Sequence, residues 1–300
     1  MLGHPVPREP PALAVPCSHA LDRVASVETE QAVFFGVYAL VGAVAGTLAG
    51  LLGVGGGLVI VPAVTYALEA QGLAQGSTLH VALGTSFATI LFTSLSSVLA
   101  HHRREAVLWP VVFRVAPGVL AGTYCGSWVA ARFSTHVLKA VFALFLLAVA
   151  AQLLSGARPK PSRELPGSVG LALVGSIIGA VSSFVGIGGG SMSVPFMVFC
   201  NVDVRRAIGT SAAIGFPIAL AGTAGYVANG LGAVDLPGSL GYVYVPALVG
   251  IALLSVATAP LGARLAHVLP PEWVRRFFGL FLLVMGLRMG ADAGARLLAG

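Results

Sequence analysis

Five stretches of this chain, residues 31–68, 70–102, 165–202, 207–234 and 236–263, contain no Asp, Glu, Lys or Arg. An apolar, uncharged run of about 18 residues or more crosses about 30 Å of hydrocarbon as a helix. Charged residues make up only 9% of the sequence, against roughly 25% in soluble domains, and 57% of the residues are apolar. With so few solvated side chains the chain cannot cover the surface of a water-soluble globule. It reads as an all-α, multi-pass membrane protein.

Other classes fall away on the same grounds. Cys17, Cys125 and Cys200 form neither a C-x-x-C pair nor an even framework, so no disulfide scaffold, zinc site or cofactor is expected. Cys125 and Cys200, in or beside apolar segments, read as small buried thiols. The net charge of +6 lies in ones, twos and threes between apolar segments, a topology pattern and not a phosphate-binding stripe. Nucleic acid is therefore excluded as a partner. The 39 glycines suit helices packed closely in lipid.

Residues 1–30 read as a polar, disordered tail, because Pro5, Pro7, Pro10, Pro11 and Pro16 interrupt any helix and no signal-peptide apolar core precedes the first long run. About ten helical segments follow, at 31–52, 55–69, 79–100, 110–131, 135–155, 168–185, 190–201, 206–229, 242–266 and 271–291. Residues 156–167, polar and Pro-rich, form a cytoplasmic linker between a first membrane repeat, 31–155, and a second, 168–300.

The two halves resemble each other. Gly46, Gly53, Gly55, Gly56, Gly57 and Pro62 recur 133 positions later as Gly179, Gly186, Gly188, Gly189, Gly190 and Pro195. Ala82-Leu83-Gly84-Thr85-Ser86 recurs at a shift of 125 as Ala207-Ile208-Gly209-Thr210-Ser211, and Pro110, Gly126 and Lys139 recur at 136 as Pro246, Gly262 and Arg275. Five crossings per half bring the second half in from the opposite side, as an inverted repeat. With 101–108 and 156–167 inside, ten basic residues lie inside against seven elsewhere. If the short segments 55–69 and 190–201 re-enter, each half crosses four times and the repeat becomes parallel; the inside placement of Arg205 and Arg206 favours five.

The sharpest motif is G-x-G-G-G-x-x-x-x-P, at Gly53–Pro62 and Gly186–Pro195. Consecutive glycines interrupt a helix, and Pro62 and Pro195 favour the first turn of the next one. Backbone groups freed at mid-depth must be satisfied by protein or a watery cavity. A helix N-terminus there presents bare N–H groups and about half a positive charge. Two broken helices at equivalent positions of repeated halves point to a transporter's substrate site. The competing reading is close packing, with the glycines inside continuous helices of a non-transporting assembly or interaction protein. The candidate substrate-binding residues are Gly55, Gly56, Gly57, Thr85, Ser86, Gly188, Gly189, Gly190, Ser191, Thr210 and Ser211; the hydroxyls either donate to an oxyanion or bond back to their own helix.

His80, equivalent to Arg205, reads as a helix-end charge or part of an anion funnel, and His101-His102-Arg103-Arg104-Glu105 as a basic loop. Trp109, Trp128 and Trp273 fit interfacial belts. With no buried cation, an anion must be held by backbone and hydroxyls. No G-x-S-x-G, H-E-x-x-H or intramembrane carboxylate pair supports an enzyme.

At Ala45-Gly46, Gly53–Gly57, Val61-Pro62, the second copy Ser183–Gly190 with Val194-Pro195, and both Gly-Thr-Ser motifs, the chain resembles the TauE/SafE family of sulfite exporters, over about residues 31–291. That resemblance implies a permease of the bacterial or archaeal inner membrane moving sulfite or small organosulfonates. The partners it implies are a small sulfur oxyanion and the lipid bilayer; a homodimer is left open.

Overall fold

The computed structural model describes residues 17–53, 55–156, 162–265, 268 and 271–298, with the backbone alone described for 17–32, 52, 271, 274 and 296–298. Ten helices lie among them: α1 (Cys17–Leu52), α2 (Gly57–Ala70), α3 (Thr78–His102), α4 (Trp109–Ala130), α5 (Thr135–Ser155), α6 (Ser168–Val185), α7 (Gly190–Phe199), α8 (Val204–Gly230), α9 (Val245–Leu265) and α10 (Pro271–Leu298). A two-residue hairpin, β1 (Ser239–Leu240) with β2 (Val243–Tyr244), precedes α9. Seven of the helices are long and apolar enough to cross a membrane, which makes this an all-α, multi-pass membrane protein.

Two sequence expectations change. Residues 1–16 lie outside the described residues, but from Cys17 the expected tail is helical and continuous with α1. After Pro16 the stretch Cys17–Gln31 contains neither Gly nor Pro, so nothing stops the helix from running back. Cys125 is exposed on α4 instead of buried; Cys200 is buried as expected.

α3 and α8 form the centre. Their spans are 78% and 67% buried, while the other candidate spans are 33–39% buried and turn large apolar side chains such as Leu144, Leu173 and Leu253 outward. α8 starts on an Asp203 cap whose carboxylate accepts from the backbone N–H groups of Arg205 and Arg206 at 2.9 and 3.4 Å, a bond type worth about 1 kcal/mol. The central helices run antiparallel: Phe87 packs on Gly222, and Ser94 on Gly215. α5 and α10 are likewise antiparallel, since Gly279 meets Leu154, Gly286 meets Leu147 and Gly290 meets Ala143.

The flanking pairs run parallel. Gly42, Gly46 and Gly50 of α1 face Ile251, Ser255 and Ala259 of α9 in order; Gly118 and Gly122 of α4 face Ala172 and Ser176 of α6. The approach is so close that a Cβ at Gly118 would stand 1.8 Å from the Ala172 carbonyl oxygen. In lipid, where apolar burial gives helices no reason to prefer each other, such backbone proximity supplies the association.

These contacts are reciprocal. A Cβ at Gly46 would meet Ser255, and one at its equivalent Gly179 would meet Val119, the equivalent of Ser255. Gly262 abuts Thr47, and Gly126 abuts Ala180, again equivalent pairs. Each half therefore touches the other through the same surface used twice.

Candidate functional site

The helix breaks form at the glycines. α1 ends at Leu52; Gly53, Gly55 and Gly56 take φ of 67°, 79° and 78°; α2 begins at Gly57. In the second copy Gly186 (φ 65°) closes α6, Gly189 (φ 74°) is the N-cap, and α7 begins at Gly190. Left-handed backbone of this kind strains any residue with a Cβ. The prolines sit deeper than the motif suggested: Pro62 and Pro195 lie inside α2 and α7, in the second turn, because the glycines themselves supply the helix start.

Each broken pair is a hairpin. Gln71, just past α2, donates to the Tyr38 hydroxyl near the start of the α1 span at 3.0 Å, so both open ends lie on one side. In the second half the N–H of Ser162, ahead of α6, donates to the carbonyl of Phe199 at the end of α7 at 3.2 Å. The short helices return toward the side from which their partners came.

The two hairpin tips meet. A Cβ on Gly55 would stand 3.3 Å from the Gly188 nitrogen, and one on Gly57 would stand 2.1 Å from the Gly186 carbonyl oxygen. Gly56 packs on Ala45 of its own hairpin, and Gly189 on Ile218 and Ile178. Gly190 opens α7, and the following Ser191 has a buried hydroxyl oxygen without a hydrogen-bond partner.

The Gly-Thr-Ser motifs act as latches between the halves. Ser86 donates to the Gly186 carbonyl at 2.7 Å, and Ser211 donates to the Gly53 carbonyl at 3.0 Å while accepting from Ser193 at 2.8 Å. The hydroxyls of Thr85 and Thr210 face away from the tips: Thr85 accepts from the Tyr244 N–H and Thr210 from the Leu108 N–H, both at 2.9 Å. Gly84 and Gly209 lie where a Cβ would come within 2.4 and 2.5 Å of the Tyr242 and Ala106 carbonyl oxygens. Each motif thus admits a connecting segment at its Gly, fixes it with its Thr, and caps a carbonyl freed by the opposite break with its Ser. Burial pushes the phenols of Tyr242 and Tyr244, in that connecting segment, above their ordinary range.

Between the tips and the central helices remains a cavity of about 10 Å³, lined by Ala49, Gly53, Gly55, Ser94, Ser97, Ala212 and Gly215. That is room for one water. Ser97 is 2% exposed and its hydroxyl oxygen has no hydrogen-bond partner, whereas Ser94 donates to the Leu91 carbonyl at 3.2 Å. Ser94, Ser97, Ala212 and Gly215 escape a motif search; the signal for the two serines was their spacing on α3, about two and three helical turns after Ser86.

A second, open cleft of about 380 Å³ is lined by Glu69, Gly72, Leu73, Gln75, Gly76 and Thr78. Beside it the ammonium of Lys139, 2% exposed, is paired with Glu69. A buried cation therefore exists, contrary to the expectation from charge scarcity, but a carboxylate neutralises it. The expectation missed the pair because Glu69 and Lys139 each stood at a segment end and 70 residues apart. α10 also continues to Leu298, which brings Asp292 onto it, within 3.3 Å of the donating Tyr66 hydroxyl.

The histidines differ from expectation too. His80 is buried, stacks on Tyr242 at 5.1 Å between ring centroids and lies 3.4 Å from the Thr135 hydroxyl, so it is no exposed helix-end charge. His101 and His102 belong to the last turn of α3, not to a loop; His101 Nε2 lies 3.1 Å from the Gly50 carbonyl. Among the described residues no group of three or more His, Cys, Asp or Glu could hold a metal ion.

Helices stop and restart in contact inside a bundle of long apolar helices, and the comparisons with known proteins place the molecule by class among membrane transporters. The family model described as "Sulfite exporter TauE/SafE" matches residues 38–289, and the chain belongs to that family. It is 36% identical over 253 residues to a "Probable membrane transporter protein" of Haemophilus influenzae, covering 83% of this chain and 96% of the relative. A "Probable membrane transporter protein" of Methanocaldococcus jannaschii is 26% identical, with 89% and 99% covered, and YunE of Bacillus subtilis, with the same description, is 26% identical, with 85% and 97% covered. No solved structure matches the chain.

Proposed function

We propose that this protein is a permease for small sulfur-containing anions, sulfite or organosulfonates, with the substrate held near mid-membrane where the two hairpin tips meet. The observation that carries the reading is the contact of Gly55 with Gly188: two helix N-termini, those of α2 and α7, start beside one another in apolar surroundings. Each supplies about half a positive charge and unpaired N–H groups, which attract an oxyanion without a buried cation. A neutral, dipole-lined site binds an anion strongly enough to admit it and weakly enough to release it. The family's description supports the choice of substrate.

In this reading the two halves are inverted repeats. What supports it is that equivalent helices, α3 with α8 and α5 with α10, run antiparallel, as halves related by an axis in the membrane plane require. The conformation described is closed, since the cavity of about 10 Å³ holds no more than a water. Access would alternate as one half rocks against the other, parting the Ser86–Gly186 and Ser211–Gly53 latches in turn. The assembly-protein reading requires the glycine triplets to lie inside continuous helices; the hairpin geometry at both triplets speaks against it.

The test is flux of ³⁵S-labelled sulfite and of a labelled organosulfonate into proteoliposomes holding the purified protein. Saturable flux of either above that of empty vesicles is expected. Absence of flux for every sulfur oxyanion, in protein shown to be folded, would sink the reading.

A further inference from the structure

The duplicated halves ought to offer two equivalent seats for a ligand, one beside each hairpin tip. The open seat adjoins Gly53 and Gly55 and is flanked by Ser94 and Ser97 of α3 and by Ala212 and Gly215 of α8. Applying the repeat shifts of 133 and 125 turns these into Gly186 and Gly188, Ala219 and Gly222, and Phe87 and Ile90. The twin seat is filled. Phe87 is fully buried with its ring where a Cβ on Gly222 would come within 2.6 Å, and Ile90 is likewise fully buried. On the open side the same two positions carry Ala212 and Gly215, which leave the space.

We infer that the protein has one anion seat, not two, and that it lies on the Gly53–Gly55 side, with Ser97 as the hydroxyl that donates to the substrate oxyanion. This rests on the reading of the tips as a substrate site and names which half of it is used. Ser97 is the fitting donor: it is buried at 2% exposure, it lines the cavity, and its hydroxyl is unspent. A buried hydroxyl without a partner costs free energy that a ligand would recover. Ser86, Ser211 and Ser193, by contrast, are committed to bonds within the protein. The seat widens by separation of small residues, Ala49, Gly53, Gly55 and Gly215, none of which has a side chain larger than methyl to obstruct it.

Two measurements test it. The first is labelling of single-cysteine variants by a small anionic methanethiosulfonate sulfonate reagent, in full-length protein with Cys17, Cys125 and Cys200 replaced. Ser97→Cys is expected to be modified and Ala219→Cys, in the filled twin, to be protected. Equal labelling of both, labelling of Ala219→Cys alone, or labelling of neither overturns the single-seat assignment, whether or not sulfite is carried. The second is the sulfite KM in proteoliposomes: Ser97→Ala raises it about tenfold or more, as loss of a hydrogen bond to a charged group does. Ser97→Thr restores it, and Ser182→Ala, which removes the buried, unpartnered hydroxyl at the twin position of Ala49, leaves it unchanged. A Ser97→Ala protein that melts as wild type with an unaltered KM removes Ser97 from the site. Failure of wild-type flux with the labelling pattern intact would instead count against sulfur anions as the substrate.

Discussion

The Ser86 hydroxyl lies 2.7 Å from the carbonyl oxygen of Gly186, a residue one hundred positions later in the chain. Its counterpart, Ser211 to Gly53, spans 158 positions in the other direction. Each half thus satisfies a carbonyl that the other half's broken helix has freed. In lipid a carbonyl without a partner is costly, so the breaks in one half are tenable only because the other half is present.

Replacing either serine by alanine leaves a buried carbonyl short of a donor. Ser86→Ala and Ser211→Ala are each expected to destabilise the protein by about 1–3 kcal/mol. The midpoint of thermal unfolding in detergent measures this. A midpoint unchanged in both variants would show that the latches carry no stability.

The glycine at the tip is the tightest point of the site. A Cβ at Gly57 would overlap the Gly186 carbonyl oxygen at 2.1 Å, whereas one at Gly36, on the outer part of α1, meets nothing within 4 Å. Gly57→Ala should abolish flux and lower the yield of folded protein. Gly36→Ala, a helical position open to substitution, should stay within about 0.5 kcal/mol of wild type. Size-exclusion profiles and flux of the two variants make the comparison.

Lys139 and Glu69 form a pair of which the lysine is almost wholly buried. Glu69→Gln strands the ammonium; breaking a buried pair costs about 3–5 kcal/mol, and the lower end is expected because Glu69 is 25% exposed. The double variant Glu69→Leu with Lys139→Met should recover much of that loss. A double-mutant cycle on unfolding midpoints reads the coupling, and additive losses would contradict it.

The inverted arrangement we propose would place the linker and the α2–α3 loop on opposite faces. In the cysteine-free background, Gln75→Cys should react with an impermeant thiol reagent added to intact cells. Glu164→Cys should react only after the membrane is opened. Labelling of both from the same side would rule out five passes per half.

Much of this was legible along the chain. The uncharged runs marked the long helices, because lipid imposes its composition on each segment separately. Gly53, Gly55 and Gly56, with Gly186 and Gly189 in the second copy, marked the breaks, because positive φ is a local demand that glycine alone meets easily. The role of the Gly-Thr-Ser motif was only half legible. Two hydroxyls in a repeat suggested a ligand, yet Ser86 and Ser211 are bonded to protein and Thr85 and Thr210 hold connecting segments. The burial of His80 and Lys139 was missed because it depends on neighbours from elsewhere in the chain, whereas the early start of α1 was missed although the Gly- and Pro-free stretch Cys17–Gln31 carries it locally.

By itself, then, the sequence determined the membrane setting, the duplication and the two interruptions, since hydropathy and backbone freedom act over a few residues at a time. The tertiary structure alone decided how the halves interlock, which hydroxyls are already spent, and why only one of two equivalent seats is open. Those outcomes turn on pairs such as Phe87 with Gly222, more than a hundred positions apart, where one ring and one missing side chain determine whether space remains.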